Sequence, residues 1–213
     1  MSIARIVVAA IAVFALTAVA QAKSWDFEDA AAGKLPPGWA AAKSGTGPGS
    51  VWTVQDDASA PKGPKVLAQT SSEGAKPLFN LCLADASLGD VDLSVSLKAV
   101  RGKIDQGGGP LWRAKDANNY YVVRVNPLEA NFRLYKVVAG KRTQLASADV
   151  EPIERKWQTI RVVHQGDRIR CYLDGQLEID VKDATFPKPG KIGLWTKADA
   201  VTSFDNLSAA EPK

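Results

Sequence analysis

The residues best suited to chemistry are carboxylates at strand spacing. Glu178 and Asp180 stand two apart, and Asp183 follows three later. In an extended chain, residues i and i+2 project from one face. Two carboxyls on one face can divide nucleophile and acid roles at a glycosidic carbon. The same run also reads as the second arm of a hairpin turned at Asp174-Gly175, with Leu177, Ile179 and Val181 inward and Glu178 and Asp180 in water. The expectation is the wetted strand face, with no catalytic residue. A second acidic set joins the chain ends: Asp26 and Glu28, again i and i+2, with Asp205 near the C-terminus. Hard oxygen ligands from two neighbouring strands suit a structural Ca²⁺. His164, the one histidine, follows Ile160 and Val162 on an apolar face, and no Gly-x-Ser-x-Gly accompanies it, so it reads as structural.

A third constellation is aromatic and basic. Strand alternation turns Tyr121, Val123 and Val125 inward and leaves Tyr120, Arg124 and Asn126 on the other side. It sets Tyr135 opposite Leu134, and Trp195 with Lys197 opposite Leu194. Arg113 alternates with Trp112. Strands lying side by side would thus present Arg113, Tyr120, Arg124, Tyr135, Trp195 and Lys197 on one outer face, with Asp199 at its rim. Aromatic rings stack on the apolar faces of sugars, and guanidinium forks bind hydroxyls, carboxylates or sulfates. The partner expected there is a polar or anionic glycan.

The elements that must position these groups are strands. Period-2 alternation marks Val91–Val100, Tyr120–Val125, Asn131–Val138, Thr159–His164, Arg168–Leu173, Gln176–Val181 and Lys191–Thr196. Asp174-Gly175 is a type I′ hairpin signal, and Gly166-Asp167 and Ala139-Gly140-Lys141 mark further turns. Gly107-Gly108-Gly109 lacks the Lys-Ser/Thr and helix of a phosphate loop; it lets a strand bend or approach a neighbour. No stretch carries a helical apolar stripe. Short antiparallel strands with one apolar face must close on a second sheet, which predicts an all-β, two-sheet antiparallel sandwich of jelly-roll type.

Composition agrees. The chain has 213 residues, 46% hydrophobic and 23% charged, too apolar for a disordered chain and of a size for one core. A net charge of +4 is too small to argue for nucleic acid. Met1–Ala22 reads as a secretory signal: Arg5, an apolar run Ile6–Ala20, and the small-x-small site Ala20-Gln21-Ala22. The run is too short to span a bilayer, so no membrane span is expected once it is removed. A single domain over 23–208 and a disordered tail 209–213 complete the expected organisation, secreted or periplasmic. Export would allow a Cys82–Cys171 disulfide to persist. Alternation puts Cys171 with Ile169 and Leu173, and Cys82 opposite Phe79, Leu81 and Leu83, so bridge and separate thiols both stay open.

The order Trp25-Asp26-Phe27-Glu28, Gly107 to Arg113 (GGGPLWR), Asn119-Tyr120-Tyr121, Gly166 to Ile169 with Asp174-Gly175, Gly190 to Trp195 (GKIGLW) and Phe204-Asp205-Asn206-Leu207 resembles the concanavalin A-like lectin/glucanase superfamily. It is most similar to laminin-G-like domains of the 3-keto-disaccharide hydrolase type. The resemblance implies the sandwich fold and a role in binding or processing glycans. In the same superfamily Glu178–Asp183 looks like the E-x-D-x-x-E strand motif of laminarinase-type hydrolases, with Asp183 where the family's acid is Glu. It also implies a structural calcium near a Phe-Glu start and an Asp-containing end. The leading expectation is a carbohydrate-binding sandwich without chemistry of its own. A glycoside-processing enzyme and an envelope interaction module are the rivals.

Overall fold

The computed structural model describes residues 22–74 and 78–212. The signal reading, Ala22 apart, lies outside the described residues. Among them fifteen strands follow in order: β1 Lys23–Trp25, β2 Trp39–Gly45, β3 Trp52–Asp56, β4 Lys65–Gln69, β5 Leu78–Leu88, β6 Val91–Arg101, β7 Gly109–Asp116, β8 Asn119–Asn126, β9 Asn131–Val138, β10 Lys141–Asp149, β11 Trp157–Gln165, β12 Arg168–Leu173, β13 Gln176–Lys182, β14 Gly190–Lys197 and β15 Val201–Ala210. They form two antiparallel sheets, the expected sandwich. The first runs β13-β12-β11-β6-β15-β4-β3, with β1 also on β15; the second runs β10-β9-β8-β7-β14-β5-β2.

Alternation builds the layer between them. Val91, Leu93, Val95 and Leu97 of β6 are buried, as are Val123, Val125, Phe132, Leu134, Ile192 and Leu194 from the facing sheet. The hairpin at Asp174-Gly175 has φ of 48° and 85°, the paired positive values a type I′ turn needs. The triple glycine is an approach device. A Cβ on Gly109 would sit 2.1 Å from the Val123 carbonyl, and one on Gly108 2.4 Å from the Trp195 carbonyl. Only bare backbone lets β7 enter between β8 and β14.

One expectation changes and one open alternative is decided. The tail boundary moves, because β15 continues to Ala210 and Ala209 pairs with Lys23 while buried. The cysteines are separate thiols, one in each sheet, both buried in the inter-sheet layer. Burial pushes both thiols up, so neither is a nucleophile. Cys82 faces this layer because Phe79, Leu81 and Leu83 belong to a second apolar cluster on the outer side of their sheet.

Candidate functional site

That second cluster is the setting of the predicted face. Phe79, Leu81, Leu111, Tyr120, Val122, Tyr135, Val137 and Trp195 cover the outer side of the second sheet, and Trp195 and Tyr120 are completely buried there. The sheet achieves this by curving. Four strands separate β10 from β5, roughly 24 Å in a flat sheet at the usual spacing. Yet the Arg142 guanidinium of β10 lies 5.3 Å from the Phe79 ring centre and 4.2 Å from that of Tyr135. The Ser44 hydroxyl, at the end of β2, donates to Asn118 Oδ1 at 2.8 Å. The outer face is therefore curved inward, filled by its own side chains and closed over by its edges.

Of the predicted set, Tyr120, Arg124, Tyr135, Trp195 and Lys197 do share this face. The Trp195 indole N–H donates to Tyr120 Oη at 3.1 Å. Arg124, 1% exposed, donates to Asn131 Oδ1 at 2.5 Å, Glu129 Oε2 at 2.7 Å and Tyr135 Oη at 3.4 Å. Burial works to raise the Glu129 carboxyl, but the hydrogen bond and charge of Arg124 outweigh it and hold the group below its ordinary range. Lys197 forms a buried ion pair with Asp105, whose carboxylate also accepts from Asn126 Nδ2 at 3.0 Å. Burial pushes the Tyr120 phenol well up, so it stays protonated.

Two buried guanidinium N–H groups on this face lack any partner, Arg124 Nε and Arg142 Nη1. Both arginines address the same ring: the Arg124 guanidinium carbon lies 5.9 Å from the Tyr135 centroid. Arg142 and Glu129 escaped the sequence reading. Arg142 sits in Lys141–Asp149, whose weak alternation gave no strand signal, and Glu129 in the short 3₁₀ turn Pro127–Glu129 that Asn126 caps.

Arg113 is a correction. It lies at a bulge of β7 with φ of 47°, which takes it out of the alternation assumed for it. Its guanidinium points to one end of the sandwich and donates to the Gly89 carbonyl at 2.8 Å, the Phe186 carbonyl at 2.9 Å, Asp90 Oδ1 at 2.9 Å and the Gly166 carbonyl at 3.3 Å. It ties loops of both sheets together. Asp199 is not a free rim carboxylate either, since it accepts the backbone N–H groups of Lys103, Ile104 and Asp105.

The acidic sets also fall into place. Asp180 is held bidentately by Arg168 at 2.9 and 2.6 Å. Asp183 has left the strand and accepts from Tyr121 Oη at 2.6 Å and Lys136 Nζ at 2.7 Å. Asp180 and Asp183 are thus held by partners in different sheets. Asp26, Glu28 and Asp205 meet at the loop before β4. Asp205 accepts from Lys62 N at 2.9 Å and Asn206 N at 2.6 Å, and Glu28 from Lys65 N at 2.9 Å. Burial pushes the Asp205 carboxyl up against those backbone bonds, and the charges of Glu28 and Asp26 add to the rise. Among the described residues, no three such groups are gathered closely enough to cage an ion as they stand.

Residues 26–209 match the sequence pattern of the 3-keto-alpha-glucoside-1,2-lyase-like domain. The chain belongs to that family. The family domain here is also 28% identical over 129 residues to a levanase of Bacillus subtilis (strain 168), a stretch that is 59% of this chain and 18% of the levanase. Among solved structures it is similar to the carbohydrate-binding module CBM66 from Bacillus subtilis, at 24% identity and TM-score 0.66, covering 82% of this chain and 96% of that one. The carbohydrate recognition domain of Emp47p is similar at 14% identity and TM-score 0.61, covering 89% and 95%. At these identities the likeness is one of fold. No helix among the described residues is long and apolar enough to cross a membrane.

Proposed function

We infer that this domain binds carbohydrate on the outer face of its second sheet and performs no chemistry there. The observation that carries the reading is the pair of buried, unpartnered guanidinium N–H groups around the Tyr135 ring. An unsatisfied buried donor costs about 1–3 kcal/mol, more when charged. Tyr135 is 3% exposed, so a sugar reaches its ring only when the Arg142 side chain swings off it; the sugar then gains a CH–π surface and offers its oxygens to both arginines. Asp199 stands beyond this contact, holding the loop that carries Asp105, and Arg113 takes no part in it. The named relatives, a levanase and a carbohydrate-binding module, support the same class of partner. The engagement of Asp180 by Arg168, and of Asp183 by Tyr121 and Lys136, favours a binder over a hydrolase. Export by the Met1–Ala22 signal would bring the domain to extracellular or periplasmic glycan.

The test is binding to a polysaccharide panel that includes levan. Arg142→Ala should weaken the best binder about tenfold, the loss of one charged hydrogen bond, while the lost stacking on Tyr135 and Phe79 lowers the melting temperature but leaves the domain folded. Equal retention by wild type and variant would remove the face.

We also propose that a structural Ca²⁺ draws Asp26, Glu28 and Asp205 together from their present spacing at the loop before β4, supported by the buried, charge-crowded Asp205. Chelation should then cost about 2.7 kcal/mol relative to calcium at a hundred times its Kd, roughly 5–10 °C in Tm. Asp205→Asn should abolish the response, and a melt indifferent to chelator would dispose of the site.

A further inference from the structure

A cleft of about 520 Å³ opens at the end of the sandwich, bounded by the end of β6, the loop Gly102–Gln106, the β10–β11 loop and the turn before β15. Its frame is fixed by backbone. Asp199 takes three consecutive N–H groups of the loop, at 2.7 Å from Lys103, 3.0 Å from Ile104 and 2.9 Å from Asp105. Across the opening, Arg155 adopts φ of 59° and donates its N–H to the Ala99 carbonyl at 2.9 Å. Arg101 and Lys103 line the opening from one segment and Arg155 from another. Among the described residues none of their side chains has an ion-pair or hydrogen-bond partner. Among the described residues lining the cleft, Glu154 is the one carboxylate left free, because that of Asp199 is spent on the loop.

One lining residue points to a ligand independently of charge. Gln106 is 3% exposed, yet its Oε1 has no hydrogen-bond partner. Its neighbour Asp105 turns to Lys197 on the outer face, whereas Gln106 lines the cleft. A buried acceptor without a donor asks for a hydroxyl. Three unpaired cations ask for an anionic oxygen group. A single molecule answering both is a hydroxylated anion.

We propose that this cleft is a second carbohydrate site, separate from the outer face, and that it takes a sugar bearing an anionic group. A sugar hydroxyl donates to Gln106 Oε1 while the carboxylate or sulfate ester lies among Arg101, Lys103 and Arg155. The site does not rest on ligand binding by the outer face.

Titration of the whole domain, followed by the Gln106 side-chain amide resonances and by calorimetry, tests it with four probes: glucuronate, glucose 6-sulfate, glucose and inorganic sulfate. At least one of the first two should bind about tenfold more tightly than both glucose and inorganic sulfate, and which one does separates carboxylate from sulfate ester. The double variant Arg101→Ser/Arg155→Ser, altering two exposed side chains, should remove that preference. Arg142→Ala should leave it intact, so failure of the outer face and failure of the cleft are told apart. Equal binding of glucose, equal binding of inorganic sulfate, or a preference surviving the double variant would each overturn the proposal.

Discussion

Lys197→Met should be among the most damaging single substitutions in this protein. The ammonium of Lys197 and the carboxylate of Asp105 are 8% and 1% exposed and face each other. Removing the ammonium strands a buried charge, with only the Asn126 amide at 3.0 Å to stabilise it. Breaking such a pair from one side costs about 3–5 kcal/mol, on the order of 10 °C in Tm for a domain of this size. Much of that cost belongs to the orphaned carboxylate and little to the pair itself. Lys197→Met combined with Asp105→Asn should therefore recover most of the loss, because the amide oxygen still accepts from Asn126 and carries no charge. Denaturant melts of wild type, both single variants and the double variant close the cycle. A double variant no more stable than Lys197→Met would mean that Lys197 acts through packing of its stem.

The same pair shows where the sequence was readable. Alternation placed Lys197 on the face of Trp195, and the structure keeps it there. What alternation could not show is that the face is dry. Trp195, Tyr120 and Arg124 were expected on the wet side of a sheet, and they are on that side, but the sheet curves until Arg142 reaches Phe79. Curvature depends on bulges and glycines whose effects add over several strands, and period-2 patterning says nothing about it. Arg113 fails for a related and more local reason. One residue in the left-handed region shifts the register of β7, and every inference from parity beyond it reverses.

Strands that keep polar residues among the apolar ones were the legible ones: β9 and β12 match their expected bounds residue for residue, although β9 buries residues on both faces. The missed strands are those whose pattern is diluted. Both faces of β5 are buried, so Leu78–Ala84 is nearly continuous in apolar residues. The alanines of β2 carry little contrast, and β10 at the edge has almost no buried position. In the acidic motif Glu178–Asp183, two of the three carboxylates are engaged by side-chain partners. The reason is specific: Arg168 lies opposite in the hairpin, and Tyr121 and Lys136 of the other sheet capture Asp183.

Acid should weaken this fold through its one histidine. His164 is fully buried between the sheets, against Trp112 and Tyr121. The Trp112 indole N–H donates to Nδ1 at 2.9 Å, so the neutral ring carries its proton on Nε2, and Nε2 has no partner. Burial lowers the imidazole from 6.5 to about 4, and the nearby charge of Arg113 works in the same direction. The unfolded chain thus takes up this proton first. The stability contributed by the neutral ring is complete above pH 6.5 and is lost as pH falls from 6.5 to about 4, by about 3 kcal/mol in all. Asp183 is depressed by its hydrogen bonds to Lys136, Thr185 and Tyr121, against the opposing effect of burial. Its contribution is lost only as pH falls below the ordinary carboxylate value, outside that window. Asp205, raised by burial, has the opposite slope near its lower edge. The difference between wild type and His164→Asn isolates the histidine, since the asparagine Oδ1 can stand near Nδ1 and accept from Trp112 without titrating. Urea melts between pH 7.5 and 4 should show the wild type losing its midpoint steadily and the variant holding level over the same range. Parallel curves for the two proteins would place the acid sensitivity elsewhere and leave His164 as packing alone.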